Sequence, residues 1–210
     1  MKKKKIINYK ISPIKIKFLI SEIYKWSIKK KRGRFICVSN VHSCIESFNN
    51  KDFKLAHNSA DLALADGRPI YWALKLLGLK NAEHLPGYYI TDKICELANK
   101  KKIKIAFYGS TNENLRKLKI NLKKKYNKLQ IKYSYSPPFR KLKQTENKKI
   151  ITEINKSKVD ILFVCLGCPK QELWMHENKN QLKCTMIGIG AAADFLSGNK
   201  ILPNKFFEYL

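Results

Sequence analysis

The stretch that decides the fold is residues 159–172, VDILFVCLGCPKQE. Residues 159–166 are almost all apolar and indicate a buried strand. Gly167 and Pro169 end that strand, and Lys170 and Gln171 open a helix. Ligands of open α/β sheets bind beyond the carboxyl ends of the strands, where helix N-termini present free N–H groups. The stretch predicts a ligand-binding edge that suits a phosphate on a polar group, with an ordinary strand-to-helix turn as the alternative.

Apolar segments of this kind recur along the chain and alternate with helical patterns. The spacing predicts strands over residues 35–38, 62–64, 103–108, 130–135, 161–166 and 184–189. It predicts helices from about residue 42, and over residues 69–77, 90–100, 112–126, 145–156 and 171–178. Strand and helix alternate throughout, which favours a Rossmann-like α/β fold: a mostly parallel sheet with helices on both faces, in a single domain.

The chain is strongly basic. Its 210 residues include 43 Lys and Arg against 16 Asp and Glu, a formal net charge of +27. Such a surface attracts polyanions, including nucleic acid, anionic lipid headgroups and diphosphates. The excess is scattered over the whole chain, which favours a general compositional bias, and we expect no specific nucleic-acid partner. A basic nucleic-acid-binding protein is the less favoured alternative.

The first 33 residues form a basic N-terminal segment, ahead of an α/β domain predicted over residues 34–210. Residues 15–31 mix lysines with Phe18, Leu19, Ile23 and Trp26, the pattern of a basic amphipathic helix. We expect this helix to pack on the edge of the domain, and binding to a membrane surface is compatible with that position. No apolar run is long enough to span a bilayer, and the N-terminus does not resemble a signal peptide.

The cysteines and histidines do not predict a metal site. Cys165 and Cys168 form a lone C-x-x-C, and the other four cysteines mostly lie in apolar segments. The four histidines show no metal-ligand spacing, although His42 follows a predicted strand end. We therefore expect reduced cysteines, no metal and no cofactor.

The ends of parallel strands meet at one edge of a sheet, and several of these ends carry polar residues or glycine. They are Ser39-Asn40, Asp66-Gly67, Gly109-Ser110, Gly167 to Gln171 and Gly188 to Asp194. Asp66 follows an apolar strand and could act as a general base on a hydroxyl. Alternatively, it could cap the helix that opens near Pro69. Arg68 could bind a diphosphate or simply be solvated, and Asp194 could hydrogen-bond ribose hydroxyls or cap a helix.

Taken together, these blocks resemble the WecG/TagA/CpsF family of glycosyltransferases, from about residue 35 to residue 210. The resemblance rests on the order and spacing of Ser39-Asn40-Val41-His42, Ala60-Asp61-Leu62, Asp66-Gly67-Arg68-Pro69, Leu77-Gly78, Pro86-Gly87, Phe107-Tyr108-Gly109, Tyr135-Ser136-Pro137-Pro138-Phe139, Gly167-Cys168-Pro169-Lys170-Gln171-Glu172 and the run from Gly188 to Gly198.

The resemblance implies an inverting, metal-independent transfer of an N-acetylhexosamine-type sugar, such as N-acetylmannosamine, from a UDP donor. The acceptor would be a polyprenyl-diphosphate-linked glycan of cell-envelope polysaccharide synthesis. The enzyme would be cytoplasmic and peripheral at the anionic inner face of the membrane, and it could form a homo-oligomer. The family's catalytic aspartate carries over to Asp66, and its donor-site positions to Asn40, Gln171 and Asp194. The full predicted substrate-binding set is Ser39, Asn40, His42, Gly67, Arg68, Gly87, Gly109, Gly167, Lys170, Gln171, Glu172, Gly190 and Asp194.

Two departures from the family pattern are visible in the sequence. Val38 stands where some members carry Thr, two residues before Asn40. The sequence ends at Phe206-Phe207-Glu208-Tyr209-Leu210, where members similar to this one continue into a basic helical tail. We therefore expect a domain truncated at its C-terminal end. A catalytically weak protein that only binds UDP-sugar or membrane is the alternative to an active transferase.

Overall fold

The structure, a computed structural model, describes residues 3–29 and 33–201. Its strands are β1 (Lys4–Ile6), β2 (Tyr9–Ile11), β3 (Arg34–Ser39), β4 (Leu62–Ala65), β5 (Lys104–Gly109), β6 (Gln130–Tyr135), β7 (Ile161–Cys165) and β8 (Thr185–Gly188). Its helices are α1 (Ile16–Lys29), α2 (Val41–Asn49), α3 (Lys51–Ser59), α4 (Arg68–Leu76), α5 (Gly87–Lys101), α6 (Asn112–Lys125), α7 (Gln144–Lys156), α8 (Lys170–Asn178) and α9 (Ala192–Leu196). The end of the helix predicted over residues 15–31 and the last part of the predicted domain, residues 202–210, lie outside the described residues.

Six parallel strands form the main sheet, in the order β4-β3-β8-β7-β5-β6. In the register, Ile36 of β3 lies between Leu62 of β4 and Ile187 of β8. All five residues of β7 are buried, as expected for a strand inside a sheet that is covered on both faces. The six predicted strands are all present, and the predicted α/β class with a parallel sheet is confirmed.

Alternating side chains of the strands feed two separate cores. On one face, Ile36, Phe107 and Phe163 pack beneath α1, α5, α6 and α9. On the other face, Phe35 and Tyr108 pack beneath α2, α4, α7, α8 and the β1–β2 hairpin. This arrangement follows from the period of two in a strand, because neighbouring residues point to opposite faces. Both faces of the sheet are therefore covered, and the side chains that follow each strand lie at its carboxyl edge.

The N-terminal segment packs into these same cores. Leu19 and Ile23 of α1 are fully buried, which confirms that this helix packs on the domain. The β1–β2 hairpin was not predicted, and its Tyr9 and Ile11 are also fully buried. Ser12 then pairs with β4, with its backbone N–H donating to the Ala63 carbonyl at 2.7 Å. The N-terminal segment therefore covers the β4 edge of the sheet, and the predicted boundary after residue 33 stays a prediction.

Candidate active site

A cavity of about 270 Å³ opens at the carboxyl edge of the main sheet. It lies beside the ends of β3, β4, β7 and β8, where the sheet brings together chain segments that are far apart in sequence. Seven residues of the predicted set line it: Asn40, His42, Asp66, Gly87, Gly167, Gln171 and Gly190. Helices α2, α5 and α8 all begin at this cavity, so their N-terminal N–H groups and dipoles favour an anionic ligand there.

Asp66 is the carboxylate that the structure places in the cavity wall. Its Oδ1 accepts a hydrogen bond from the backbone N–H of Gly87 at 2.8 Å, and its Oδ2 accepts one from Asn40 Nδ2 at 3.4 Å. Its backbone is held as well, because its N–H donates to the Ser39 carbonyl at 2.9 Å and its carbonyl accepts from His84 Nε2. The carboxylate therefore has one fixed orientation towards the cavity.

The sequence left two roles open for Asp66, a general base or a cap of the helix that opens near Pro69. Helix α4 has Gly67 as its N-cap, with no side-chain capping bond, so the prediction that Asp66 caps this helix is wrong. The carboxylate instead lies at the first residue of α5, Gly87, which is contributed by a separate loop. Burial raises the pKa of Asp66 above the ordinary value of 3.8, while the bonds from Gly87 and Asn40 and the charge of His84 oppose that rise. A raised pKa makes the carboxylate a stronger base than an exposed one.

Asn40 is oriented by its own helix. Its Oδ1 accepts from the Ser43 N–H at 3.2 Å and its backbone N–H donates to Ser43 Oγ at 2.9 Å, a reciprocal cap on α2. With Oδ1 committed to the helix, the amide nitrogen must face Asp66. Asn40 therefore caps α2 and also orients the carboxylate of Asp66.

Gln171 connects the ends of two neighbouring strands. Its Oε1 accepts from the Gly190 N–H at 3.0 Å, and its Nε2 donates to Glu172 Oε1 at 2.9 Å. Each of these uses one hydrogen-bonding position of the amide, which leaves one acceptor lone pair and one N–H. Gly188 permits the arrangement, because a Cβ at that position would lie 3.1 Å from Gln171 Cδ and 2.8 Å from Met175 Cε. The amide is thus held against the cavity by contacts on both sides.

Glu172 lies behind the cavity wall and does not line it. It is 1% exposed, and its Oε2 has no hydrogen-bond partner among the described residues. Burial raises the pKa of Glu172 above its usual 4.5, which favours the neutral acid. Its predicted role as a direct substrate contact stays a prediction, and its observed contact is with Gln171.

Five other residues of the predicted set also lie outside the cavity lining. Ser39 is buried, with Oγ 2.7 Å from His57 Nε2, whose pKa burial lowers to about 3. Gly109 has a φ of +111°, and a Cβ there would lie 2.5 Å from the backbone carbon of Cys165, so close strand packing requires this glycine. Asp194 accepts from Asn114 Nδ2 at 2.7 Å and pairs with Lys200 at 3.3 Å. The remaining two are Gly67 and Arg68, both partly exposed.

Lys170 is the last residue of the predicted set, and its side chain is exposed. It is the first residue of α8 and is followed by Gln171, so it stands at the rim without lining the cavity. Among the described residues that line the cavity, none is Lys or Arg, and the positive character of the site comes from helix N-termini.

Eight lining residues were not in the predicted set: Val38, Tyr88, Cys168, Gly188, Ile189, Ala191, Ala192 and Phe195. Tyr88 and Phe195 form an aromatic wall, with ring centroids 6.2 Å apart. Most of these residues adjoin a residue that the sequence did single out, such as Gly87, Gly167 or Gly190. Cys168, Gly188, Ile189, Ala191 and Ala192 lie inside the strand-end blocks named from the sequence, and Val38 and Tyr88 each adjoin or lie close to such a block or motif.

The cysteines are thiols in this structure. All six are free, and burial raises the pKa of both Cys165 and Cys168. Within residues 3–29 and 33–201, no group of three or more His, Cys, Asp and Glu side chains is arranged to hold a metal ion. The same residues include no helix with the length and apolar character needed to cross a bilayer.

Comparison with known proteins identifies relatives over nearly the whole chain. An N-acetylglucosaminyldiphosphoundecaprenol N-acetyl-beta-D-mannosaminyltransferase of Bacillus spizizenii is 26% identical over 192 residues, covering 90% of this chain and 73% of the relative. The enzyme of that name from Bacillus subtilis is 25% identical over 181 residues, 86% of this chain and 69% of the relative. The one from Staphylococcus aureus strain NCTC 8325 is 27% identical over 154 residues, 73% of this chain and 59% of the relative.

A family model also matches, and it begins well before residue 35, where the sequence resemblance was predicted to begin. The match covers residues 4–208 and therefore includes the β1–β2 hairpin and α1 that pack into the two cores. The names of these relatives and this match agree on the type of enzyme. The chain belongs to the Glycosyl transferase WecG/TagA/CpsF family, and it is a glycosyltransferase.

Proposed function

We propose that this glycosyltransferase moves N-acetylmannosamine from a UDP donor to an N-acetylglucosamine carried on a polyprenyl diphosphate, with inversion and with Asp66 as the general base. The observation that carries the proposal is the Asp66 carboxylate, which lies in the wall of the cavity with both oxygens oriented by N–H donors. The sugar and the acceptor are those in the names of the relatives. The UDP part rests on the resemblance and on the anion-favouring helix N-termini.

Inverting transfer is a single displacement that needs a base on one side of the sugar and an anion site on the other. The acceptor hydroxyl oxygen attacks the anomeric carbon while its proton moves to Asp66. The bond from that carbon to the diphosphate oxygen breaks, and the electron pair leaves on UDP. The base contributes roughly 10²- to 10⁴-fold to such a step, and N–H groups that bind the departing diphosphate stabilise its developing charge.

The donor would lie along the ends of β7 and β8. Gly167 and Gly190 have no side chain, so the donor could approach the backbone closely at this wall. Gln171 has one N–H and one lone pair left to bind the donor. Arg68 and Lys170 lie close in sequence to Asp66 and Gln171, so their long side chains would approach the phosphates when the donor binds. Asp194 lies on α9 close to the lining, where it would meet the ribose.

We further propose that the reaction needs neither a metal nor a cofactor. Both Asp66 oxygens already accept N–H groups, which suits a base better than a metal ligand. The protein would act as a peripheral protein at the inner face of the cytoplasmic membrane, where its lipid-linked acceptor is found. Self-association and direct contact with anionic lipid are compatible with this function, and no specific nucleic acid takes part.

A transfer assay tests the proposal. The protein is incubated with UDP-N-acetylmannosamine and a short-chain polyprenyl-diphosphate N-acetylglucosamine, with and without EDTA. We expect one added N-acetylhexosamine in β linkage by mass spectrometry and NMR, with equal rates in both samples. UDP-N-acetylglucosamine and GDP-mannose serve as control donors. No product with the lipid-linked acceptor would contradict the proposed reaction, and a rate abolished by EDTA would contradict its metal independence.

A further inference from the structure

A second concave feature, which shares no lining residue with the cavity, lies between α6 and the edge strand β6. It is a groove of about 310 Å³, lined by Arg116, Lys119, Ile120 and Lys123 of α6 and by Ile131 of β6. The four helical positions are spaced i, i+3, i+4 and i+7, so they lie on one face of α6. The groove therefore combines three cationic side chains with two apolar ones.

The cations of this groove form no ion pair with a described residue, although Glu113, whose pKa is lowered mainly by its hydrogen bond to Lys117, lies near enough to Arg116 for that charge to lower the pKa further. Two neighbouring lysines of α6 are paired, Lys117 with Glu113 at 2.9 Å and Lys125 with Asp92 at 2.7 Å. Within the described part of the chain, Arg116, Lys119 and Lys123 form no ion pair, and no carboxylate lines the groove. The local charge is therefore available to an anionic partner, and it is concentrated in one place.

The apolar part of the groove distinguishes it from a simple basic patch. Ile120 is 53% exposed, although it lies on a helix face that is otherwise charged. Ile131 is only partly buried where it packs against the core. An exposed isoleucine among lysines suits a partner that offers both phosphates and hydrocarbon, because lysine and arginine stems extend over apolar surface while their charged ends reach phosphate.

Nucleic acid fits these residues less well. Proteins that bind single strands without sequence preference stack the bases on aromatic side chains, and none of the five lining residues is aromatic. Non-specific contacts to duplex DNA are made mainly by Lys and Arg to phosphates, and they do not require an exposed isoleucine. The chemistry favours an anionic lipid surface.

The helix that carries the groove, α6, does not line the cavity but is hydrogen-bonded to α9, which does. Helix α9, whose Ala192 and Phe195 line the cavity, is bonded to α6 through Asn114 Nδ2 and Asp194 at 2.7 Å. Asn121 Nδ2 donates to the Leu196 carbonyl at 3.2 Å, further along α6. A surface that holds α6 therefore also fixes the distance of the cavity from that surface.

We propose that the groove between α6 and β6 docks on an anionic lipid bilayer, with Arg116, Lys119 and Lys123 binding lipid phosphates and Ile120 entering the boundary with the acyl chains. The inference rests on the proposed function, in which the acceptor is carried by a membrane lipid, and it names the surface that meets that membrane. Docking here would hold the domain, and with it the cavity, at the membrane that carries the polyprenyl diphosphate.

Vesicle co-sedimentation tests the proposal, using phosphatidylglycerol–phosphatidylcholine vesicles and pure phosphatidylcholine vesicles. The groove variant is Arg116→Gln/Lys119→Gln/Lys123→Gln. The matched control is Lys148→Gln/Lys149→Gln/Lys156→Gln, which removes three exposed charges from α7 on the other face of the sheet. Each cation near an anionic surface contributes about five-fold to binding, so we expect the groove variant to lose on the order of a hundred-fold and the control far less. Equal losses in the two variants would overturn the proposal, because they would show that vesicle binding depends on the total charge of the protein and not on the groove.

Ile120→Ser separates a lipid surface from free phosphate. We expect it to weaken binding to anionic vesicles several-fold and to leave the binding of inorganic pyrophosphate unchanged. Unchanged vesicle binding, with pyrophosphate binding lost only in the groove variant, would overturn the proposal and assign a soluble phosphate ligand. Stronger binding of a DNA 20-mer than of vesicles, lost in the groove variant alone, would overturn it in favour of nucleic acid.

Failure of this inference and failure of the proposed function give different results. None of the groove residues lines the cavity, so calorimetric binding of UDP is expected to be equal in wild type and groove variant. If wild type binds UDP and transfers sugar, but the groove variant loses no vesicle binding, the docking surface alone is overturned. If wild type binds vesicles through the groove but neither binds UDP nor transfers sugar, the docking surface is supported and the proposed function is contradicted.

Discussion

The cavity at the sheet edge and the groove between α6 and β6 are both polar, but their polar groups are held in different ways. Asp66, Asn40 and Gln171 are each fixed by at least two hydrogen bonds, at distances from 2.8 to 3.4 Å. Arg116 and Lys123 of the groove are exposed and form no ion pair with a described residue. The polar side chains of the cavity are therefore held in one arrangement by hydrogen bonds, whereas the charged side chains of the groove are not held by ion pairs.

This difference separates the expected functions of the two regions. Catalysis needs groups placed before the substrate arrives, since an error of about 1 Å costs roughly 100-fold in rate. Attraction to a charged surface acts over a Debye length of about 8 Å at physiological ionic strength and tolerates mobile side chains. We therefore expect cavity variants to change rate with little dependence on salt. Groove variants should change surface binding with strong dependence on salt.

Asp66→Asn is the variant with the largest expected effect. The introduced amide would keep an oxygen for the Gly87 N–H but could not take a proton, so we expect a loss of roughly 10²- to 10⁴-fold in transfer rate. In wild type, the rate should fall as the pH falls through the raised pKa of Asp66, with the acidic limb above pH 3.8. Initial rates across a pH series measure both effects.

The matched control for Asp66→Asn is Asp52→Asn, which removes an exposed carboxylate from the first turn of α3. Because the folded-state pKa of Asp66 is raised, its ionised form destabilises the fold at pH values above that pKa. The asparagine variant should therefore unfold no more easily than wild type at pH 7. Normal turnover by Asp66→Asn, or an equal loss in both variants, would remove the distinction between the cavity and the rest of the surface.

Gly188→Ala is expected to have the next largest effect. The added Cβ would lie 2.8 Å from Met175 Cε and 3.1 Å from Gln171 Cδ, so it would push the amide away from Gly190. We expect UDP affinity to fall roughly ten-fold, the equivalent of one lost hydrogen bond, and the free energy of unfolding to fall by about 1–3 kcal/mol. Calorimetry and urea unfolding give the two values. Gly78→Ala, at a φ of +75° with no atom within 4 Å of the new Cβ, is the control that should lose stability and keep affinity.

Glu172→Gln tests the buried carboxyl behind the cavity. The glutamine keeps an oxygen for Gln171 Nε2 but cannot ionise. The pKa of Glu172 is raised in the folded state, so the folded protein retains that proton to higher pH than the unfolded chain does. Wild type should therefore lose stability as pH rises from 4.5 through the raised pKa, by about 1.4 kcal/mol for each pKa unit, and the variant should not. Urea unfolding from pH 4 to pH 8 measures the difference, and parallel curves for the two proteins would show that Glu172 is not buried as described.

The groove variant Arg116→Gln/Lys119→Gln/Lys123→Gln has the smallest expected effect on the protein itself. Exposed substitutions away from capping and packing contacts usually change stability by less than about 0.5 kcal/mol. Its transfer rate with a detergent-solubilised acceptor should equal that of wild type, because no groove residue reaches the cavity. Thermal unfolding and the soluble assay check both statements. A large loss in either would show that the groove supports the fold or the cavity.

The strands of the main sheet were predictable because each carries a local signal. Short apolar runs such as residues 161–166 indicate buried strands. The alternation of these strands with helices then favours a parallel sheet. The same logic placed Asp66, Gln171 and Gly190 at one edge, and all three line the cavity. The family resemblance added the type of reaction, which periodicity alone does not carry.

The missed features depend on contacts between distant residues or on unusual turns. The β1–β2 hairpin turns at Ile7, which has a φ of 50°, a conformation that a β-branched residue rarely adopts and that no sequence rule anticipates. The carboxylate of Asp66 is fixed by Gly87, 21 residues away, so its choice between base and helix cap could not be read locally. Gly109 was predicted as a ligand contact, yet the backbone of Cys165 in the neighbouring strand accounts for it.

Calorimetric titration with UDP tests most directly whether the sheet-edge cavity is the donor site. Wild type, Gln171→Ala and the exposed control Gln181→Ala are titrated with UDP and, separately, with ADP. The account predicts that wild type and Gln181→Ala bind UDP equally and in preference to ADP, while Gln171→Ala binds it about ten-fold more weakly. UDP binding that is absent from wild type, or equal in all three proteins, would contradict the placement of a nucleotide-sugar site at this edge.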